Sequence, residues 1–176
     1  QRVSNLGFCA EQGIVTRMGT GLAHDGLDMT NPSLARCLAA ARGDEPSDLV
    51  IENARVVNVF TLELESVPVA VRDGLIVGLG PYRATERLDA GGALLVPGLI
   101  DAHIHIESTL LTPPEFARAV VPRGTTAVIA DPHEIANVYG AAGIRWMLEA
   151  SRQLPMDIFV MLPSCVPATP WESAGA

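Results

Sequence analysis

Cysteine is scarce in this sequence: Cys9, Cys37 and Cys165 are the only three in 176 residues. Odd in number and widely separated, they build neither a disulfide framework nor a zinc-ribbon spacing. They read as free thiols in a reducing, cytoplasmic compartment. No apolar run approaches the ~18 residues that a membrane-spanning helix requires. The first residues lack a basic segment followed by an apolar one, so no secretory signal is visible. Positive charge is also in short supply, with 12 Lys and Arg against 20 Asp and Glu and a net charge of −8. Binding to a phosphate backbone needs clustered Lys and Arg. The basic residues here are scattered, which argues against nucleic acid and favours a neutral small molecule. There is no internal repeat and no low-complexity tract.

What is present suits a globular protein. Apolar residues make up 48% and charged residues 18%, enough for one domain, or a small domain plus part of another. Gln1 in place of Met points to processing or truncation. Residues 1–31 carry glycine and polar residues without a clear period and read as weakly ordered. A short helix is expected to start at Asn31-Pro32-Ser33 and stop at Gly43. From Asp48 the pattern becomes strand-like. Leu49 to Ile51 and Val56 to Phe60 are β-branched runs, and Val67 to Arg72 and Leu75 to Leu79 flank Asp73-Gly74, a two-residue hairpin signal. Leu88 to Leu95 adds one further strand, and these short strands predict a small β-sandwich. Beyond Pro97-Gly98 the rhythm alternates: strand at Leu99 to His105, helix at Pro113 to Val121, strand at Thr125 to Ala130, helix at Gly140 to Gln153, strand at Ile158 to Leu162. That order predicts a parallel sheet with crossover helices, opening either a doubly wound sheet or a (β/α)8 barrel.

The sharpest chemical feature is Asp101-Ala102-His103-Ile104-His105-Ile106-Glu107. Alternation along a strand puts Asp101, His103, His105 and Glu107 on one face and Ala102, Ile104 and Ile106 on the other. Two imidazoles spaced in this way at a strand's C-terminal end can reach one cation, and neutral imidazole is a common ligand for zinc, iron and related metals. The competing reading is two ordinary histidines near a strand end. A second cluster, Asp131-Pro132-His133-Glu134, follows the next strand. Active sites of parallel α/β folds gather at strand C-termini, so this cluster would face the first; the alternative is that Asp131 and Glu134 cap a helix. His105-Ile106-Glu107 also matches the His-x-Glu of cytidine-type zinc deaminases, but their Pro-Cys-x-x-Cys partner is missing. Cys165 reads as a loop or core thiol and His24 as a surface residue.

Taken together, Val96-Pro97-Gly98-Leu99-Ile100-Asp101-Ala102-His103-Ile104-His105 resembles the opening of the amidohydrolase superfamily. Ile106-Glu107-Ser108-Thr109, Gly124-Thr125-Thr126 and Asp131-Pro132-His133-Glu134-Ile135-Ala136-Asn137-Val138 narrow the resemblance to the adenine deaminase family. Pro163-Ser164-Cys165-Val166-Pro167-Ala168-Thr169 and Glu172-Ser173-Ala174-Gly175-Ala176 continue it, so that it covers about residues 48–176. The resemblance implies a (β/α)8 barrel carrying a β-sandwich, a pair of divalent metals, Mn(2+) or Fe(2+), and hydrolysis of adenine to hypoxanthine and ammonia. It gives His103 and His105 the first-strand metal-ligand positions. Glu107, Ser108, Asp131, His133 and Glu134 would line the same mouth, and the remaining ligands and proton-moving residues would lie beyond Ala176.

The expected organisation is an N-terminal extension with a short helix over residues 1–47, a β-sandwich portion over 48–97 and the start of the barrel over 98–176. Only about 80 residues follow Gly98, against ~250 in a typical full barrel. The chain is therefore read as an N-terminal portion of a cytoplasmic enzyme, inactive alone and homo-oligomeric at full length. Two rivals stand beside that reading: another amidohydrolase acting on cyclic amides or sugar amides, and a catalytically dead relative serving as a scaffold.

Overall fold

The computed structural model describes residues 7–9, 13–16 and 32–163, the first two segments by their backbone. The chain divides into two compact units, residues 1–97 and 98–176.

In the first unit, β1 (Gly7–Cys9) and β2 (Gly13–Thr16) pair antiparallel, within the stretch where the sequence shows no period. Next come α1 (Pro32–Arg42) and the strands β3 (Ser47–Glu52), β4 (Arg55–Asn58), β5 (Glu63–Glu65), β6 (Val69–Arg72), β7 (Leu75–Leu79), β8 (Ala84–Asp89) and β9 (Leu94–Pro97). They form a five-stranded sheet, β1-β2-β9-β4-β5, and a four-stranded sheet, β7-β6-β3-β8. Strand periodicity explains how both are covered. Leu49 and Ile51 of β3 and Val69 of β6 share a buried cluster with Leu95 of β9, and Val56, Val71 and Leu88 pack against it. Val50 and Ala70, on the opposite face of the four-stranded sheet, are fully buried as well, and α1 lies against β3, β6 and β7. At the β6–β7 turn Asp73 and Gly74 both take positive φ, 51° and 81°, the two-residue form whose twist suits a hairpin.

The single strand expected over Leu88 to Leu95 is two strands. The chain breaks at Gly91-Gly92, where Asp89 accepts from the Gly91 N–H at 2.8 Å and from the Asn53 amide at 2.9 Å. Cys37, on α1, is buried, and its thiol donates to the Arg72 carbonyl at 3.4 Å. Burial, with Asp73 adding to it, pushes that thiol above its ordinary pKa, which agrees with an unreactive thiol. The Cys165 and His24 readings lie outside the described residues.

In the second unit, β10 (Leu99–Ile104), β11 (Thr125–Ala130) and β12 (Asp157–Val160) form a three-stranded sheet in that order, both pairings parallel. The connections carry α2 (Pro113–Val120) and α3 (His133–Ala150). Proline stands in the first turn of α2, where its missing N–H costs nothing. Ile106, Phe116, Ala117, Val128, Ala130, Met147 and Met156 are buried in one cluster, with Ile104, Ile135 and Val160 packed against it. That cluster joins the sheet to both helices. The helix expected from Gly140 is preceded by a further helical segment that begins at His133. Gly140, at φ 58°, ψ −148°, a region essentially reserved for glycine, is non-helical and divides α3 into these two segments. The chain is thus mixed α/β, and among the described residues no helix is long and apolar enough to cross a membrane.

Strand β10 carries two departures from simple alternation. Its register against β11 shifts between Leu99 and Ile100 and again between Asp101 and Ile104. In the second shift β10 holds one more residue than its partner, a bulge that re-aims the side chains following it. Ala102 is exposed, as is Ile100, whereas Ile104 and Ile106 reach the helix side. Asp101 does not join the histidines: it accepts from the His103 backbone N–H at 3.1 Å.

The sheet's outer strands present apolar side chains to solvent, including Leu99, Ile100 and Phe159, and Leu162 just after β12 is exposed as well. Open edges with exposed apolar residues favour association. The chain on its own is expected to bind dyes that report apolar surface and to self-associate in sedimentation. A monomer with a sharp, reversible melt would contradict this.

Candidate metal centre

The site is assembled by two loops, one after each of two neighbouring parallel strands. His103 is near the end of β10 and His105 immediately follows it. The chain then makes a short 3-10 turn at Glu107–Thr109, in which the Thr109 N–H and hydroxyl both donate to the Ile106 carbonyl, at 3.0 and 2.6 Å. Ile106, with no exposed surface, pins this turn into the core directly beside His105. Ile106→Ala is therefore expected to destabilise the protein by ~2–5 kcal/mol, read by denaturant unfolding, and to weaken metal binding in the same variant. Native-like stability would show that the turn does not depend on this anchor.

From the second loop, Asp131 donates its backbone N–H to the Ile104 carbonyl at 2.9 Å. That bond extends the β10–β11 ladder by one step and brings the Asp131 side chain level with the histidines. One ligand atom from each of His103, His105 and Asp131 lies within 4.8 Å of the other two. The two Nε2 atoms are 3.2 Å apart. Facing imidazole nitrogens at that separation must share a proton or a cation, because two lone pairs alone repel.

Asp131 supplies a second reason to expect a cation. Its Oδ1 is buried and has no hydrogen-bond partner, and a buried carboxylate oxygen without a donor is costly unless positive charge is near. It is not the helix cap that the sequence allowed, since the N-cap of α3 is Pro132 and makes no side-chain cap bond. One N–H at the start of α3 is met from the other loop, where Glu107 Oε1 accepts from Ile135 at 3.2 Å. Glu107 Oε2 is buried without a partner. Two imidazoles and a carboxylate, with no sulfur, form a donor set that manganese, iron or zinc accepts. The residues present fit such a metal.

Glu134 does not belong to the three-donor group. Its Oε2 lies 2.9 Å from His105 Nδ1, and its Oε1 accepts from the Ser108 hydroxyl at 2.9 Å. Burial works against ionisation of Glu134. The hydrogen bonds from His105, its own backbone N–H and Ser108, with the charge of His105 adding, outweigh it and hold the carboxyl below the usual carboxylate range. The His133 ring stands edge-on to His105, centroids 6.3 Å apart. His103, His105, Glu107, Ser108, Asp131, His133 and Glu134 thus lie at the C-terminal ends of β10 and β11 or in the segments that follow them, up to the start of α3. What the sequence left open was the division between donors and supports.

Comparison with known proteins concerns the chain as a whole. Residues 94–175 match the amidohydrolase family. The chain is 54% identical over 143 residues to the adenine deaminase of Syntrophobacter fumaroxidans, covering 81% of this chain and 25% of that protein. It is 56% identical over 146 residues to the adenine deaminase of Methanoregula boonei, covering 82% and 26%. It is 52% identical over 139 residues to that of Geobacillus kaustophilus, covering 79% and 24%. The chain therefore spans about a quarter of the length of these curated relatives. Among solved structures, N-acyl-D-glutamate deacylase from Bordetella bronchiseptica, complexed with zinc and a phosphonate inhibitor, superposes with a TM-score of 0.54 at 20% identity. The match covers 69% of this chain and 30% of that one. At that identity the likeness concerns the fold alone.

Proposed function

We propose that this chain, whose residues 94–175 belong to the amidohydrolase family, forms part of an enzyme that hydrolyses adenine to hypoxanthine and ammonia. The observation that carries this reading is the convergence of His103, His105 and Asp131 at the ends of two parallel strands, in a chain more than half identical to adenine deaminases over 81% of its length. The first unit is the β-sandwich portion, over residues 48–97 with 1–47 as its extension. Residues 98–176 begin a (β/α)8 barrel whose later strands the curated relatives have room for. The whole protein is a cytoplasmic homo-oligomer acting on a small molecule, with neither nucleic acid nor membrane as partner.

In this reading His103 and His105 hold a divalent metal, Asp131 completes their donor set, and Glu107, Ser108, His133 and Glu134 line the mouth. When bound, such a metal supplies Lewis acidity and makes water a nucleophile near neutral pH. Choosing Mn(2+) or Fe(2+) as a pair rests on the family resemblance, since the donor set by itself also accepts zinc. Water adds at C6 of the purine, the C6–N bond breaks, and the amino group leaves as ammonia once it has gained a proton from a carboxylic acid. Both oxygens of Glu134 are already engaged, by His105 and by Ser108, so this reading does not assign it that last task. The experiment is direct: the full protein carrying this sequence is supplied with manganese or iron, and ammonia and hypoxanthine are measured with adenine as substrate. Metal-loaded protein that leaves adenine intact while hydrolysing cyclic or sugar amides would move the function to another amidohydrolase reaction.

A further inference from the structure

We propose that Glu134 is a positioning residue that fixes which nitrogen of His105 is offered to the metal; this rests on the metal-site reading above. A neutral imidazole carries one proton, on Nδ1 or on Nε2, and only the bare nitrogen can ligate. Glu134 Oε2 stands 2.9 Å from Nδ1, while its other oxygen accepts from Ser108 at 2.9 Å, an arrangement in which the carboxylate is the acceptor and Nδ1–H the donor. The proton is therefore drawn to Nδ1, and Nε2 keeps its lone pair on the side where His103 Nε2 lies 3.2 Å away.

The carboxylate is itself oriented. Ser108 donates to its other oxygen at 2.9 Å, so one oxygen is held by the turn after β10 and the other is left for the imidazole. The loops also clasp each other in the reverse direction, through the Ile135 N–H to Glu107 Oε1 at 3.2 Å. His105 lies past the last residue of β10, where the strand ladder no longer restrains it. Ile106 anchors the backbone from below, and the Glu134–Ser108 pair sets the plane of the ring. Partners of this kind fix the tautomer and raise the basicity of a metal-binding histidine.

The test compares the full protein with Glu134→Ala, Glu134→Gln and Ser108→Ala. Manganese affinity is measured by chelator competition, and the His105 tautomer by nitrogen-15 NMR of histidine-labelled protein. Glu134→Ala is expected to weaken manganese binding by ~10- to 100-fold and to leave His105 in mixed tautomers. Glu134→Gln, whose carbonyl oxygen still accepts from Nδ1–H, should recover most of the affinity and keep the Nδ1–H form. Ser108→Ala should fall between the parent and Glu134→Ala. Unchanged affinity and tautomer in Glu134→Ala would overturn the proposal. So would a Glu134→Gln variant as weak as Glu134→Ala, because that pattern marks a direct ligand. Adenine hydrolysis is followed on the same samples. A parent that binds manganese yet leaves adenine intact removes the substrate reading, and the Ala–Gln comparison still decides the role of Glu134. A parent whose affinity is indifferent to His105→Ala removes the metal site, and this proposal with it.

Discussion

His105→Ala in the full protein is expected to lower metal affinity by more than ~100-fold, beyond the ~10- to 100-fold typical when only an outer partner of a metal ligand is lost. Adenine hydrolysis should fall with it. His105 links both parts of the site, with Nε2 directed at His103 and Nδ1 at Glu134, so its removal deletes a donor and strands a partly buried carboxylate. His103→Ala should cost a similar loss of metal while leaving the His105–Glu134 pair intact. Metal content per chain and chelator competition check both variants. Wild-type metal content in either would place the metal elsewhere.

The second large effect separates this chain from the longer proteins it resembles. Alone, it is expected to show no measurable deamination of adenine, even with manganese or iron added. Among the described residues three strands supply one group of three donors, whereas the family resemblance requires a metal pair with ligands from later strands. Hydrolysis of an aromatic C–N bond needs the complete coordination set together with a proton donor. Ammonia release by the chain and by the full protein, at equal concentration and metal, measures the difference. An active isolated chain would mean that its own residues complete the site.

How far the sequence reveals this arrangement follows from the range of each signal. The Asp73-Gly74 hairpin and strand Thr125–Ala130 are legible because turn glycines and period-2 apolar runs act over a few residues. His103 and His105 are legible for the same reason, since their spacing needs only one strand. Less visible are features that depend on pairing. Asp131 resembles a helix cap when read locally, and only the parallel register of β10 with β11 sets it beside the histidines. Likewise Glu134 reads as half of a capping pair, yet its partners are His105 and Ser108 on the neighbouring loop. The bulge in β10 is a mismatch between two strands and leaves no mark on either alone. Gly140 is legible as a helix boundary, since its non-helical backbone divides α3, whereas the segment that begins at His133 carries no comparable start signal.

The most direct test of the account is adenine turnover by the full protein after chelation, with manganese or iron returned stepwise. Ammonia and hypoxanthine should appear in equal amounts, rise as metal is restored in the parent, and stay near background in His105→Ala at the same metal concentrations. Full turnover by the chelated parent, or by His105→Ala without its metal, would contradict the assignment of this two-loop site as the metal centre of an adenine-hydrolysing enzyme.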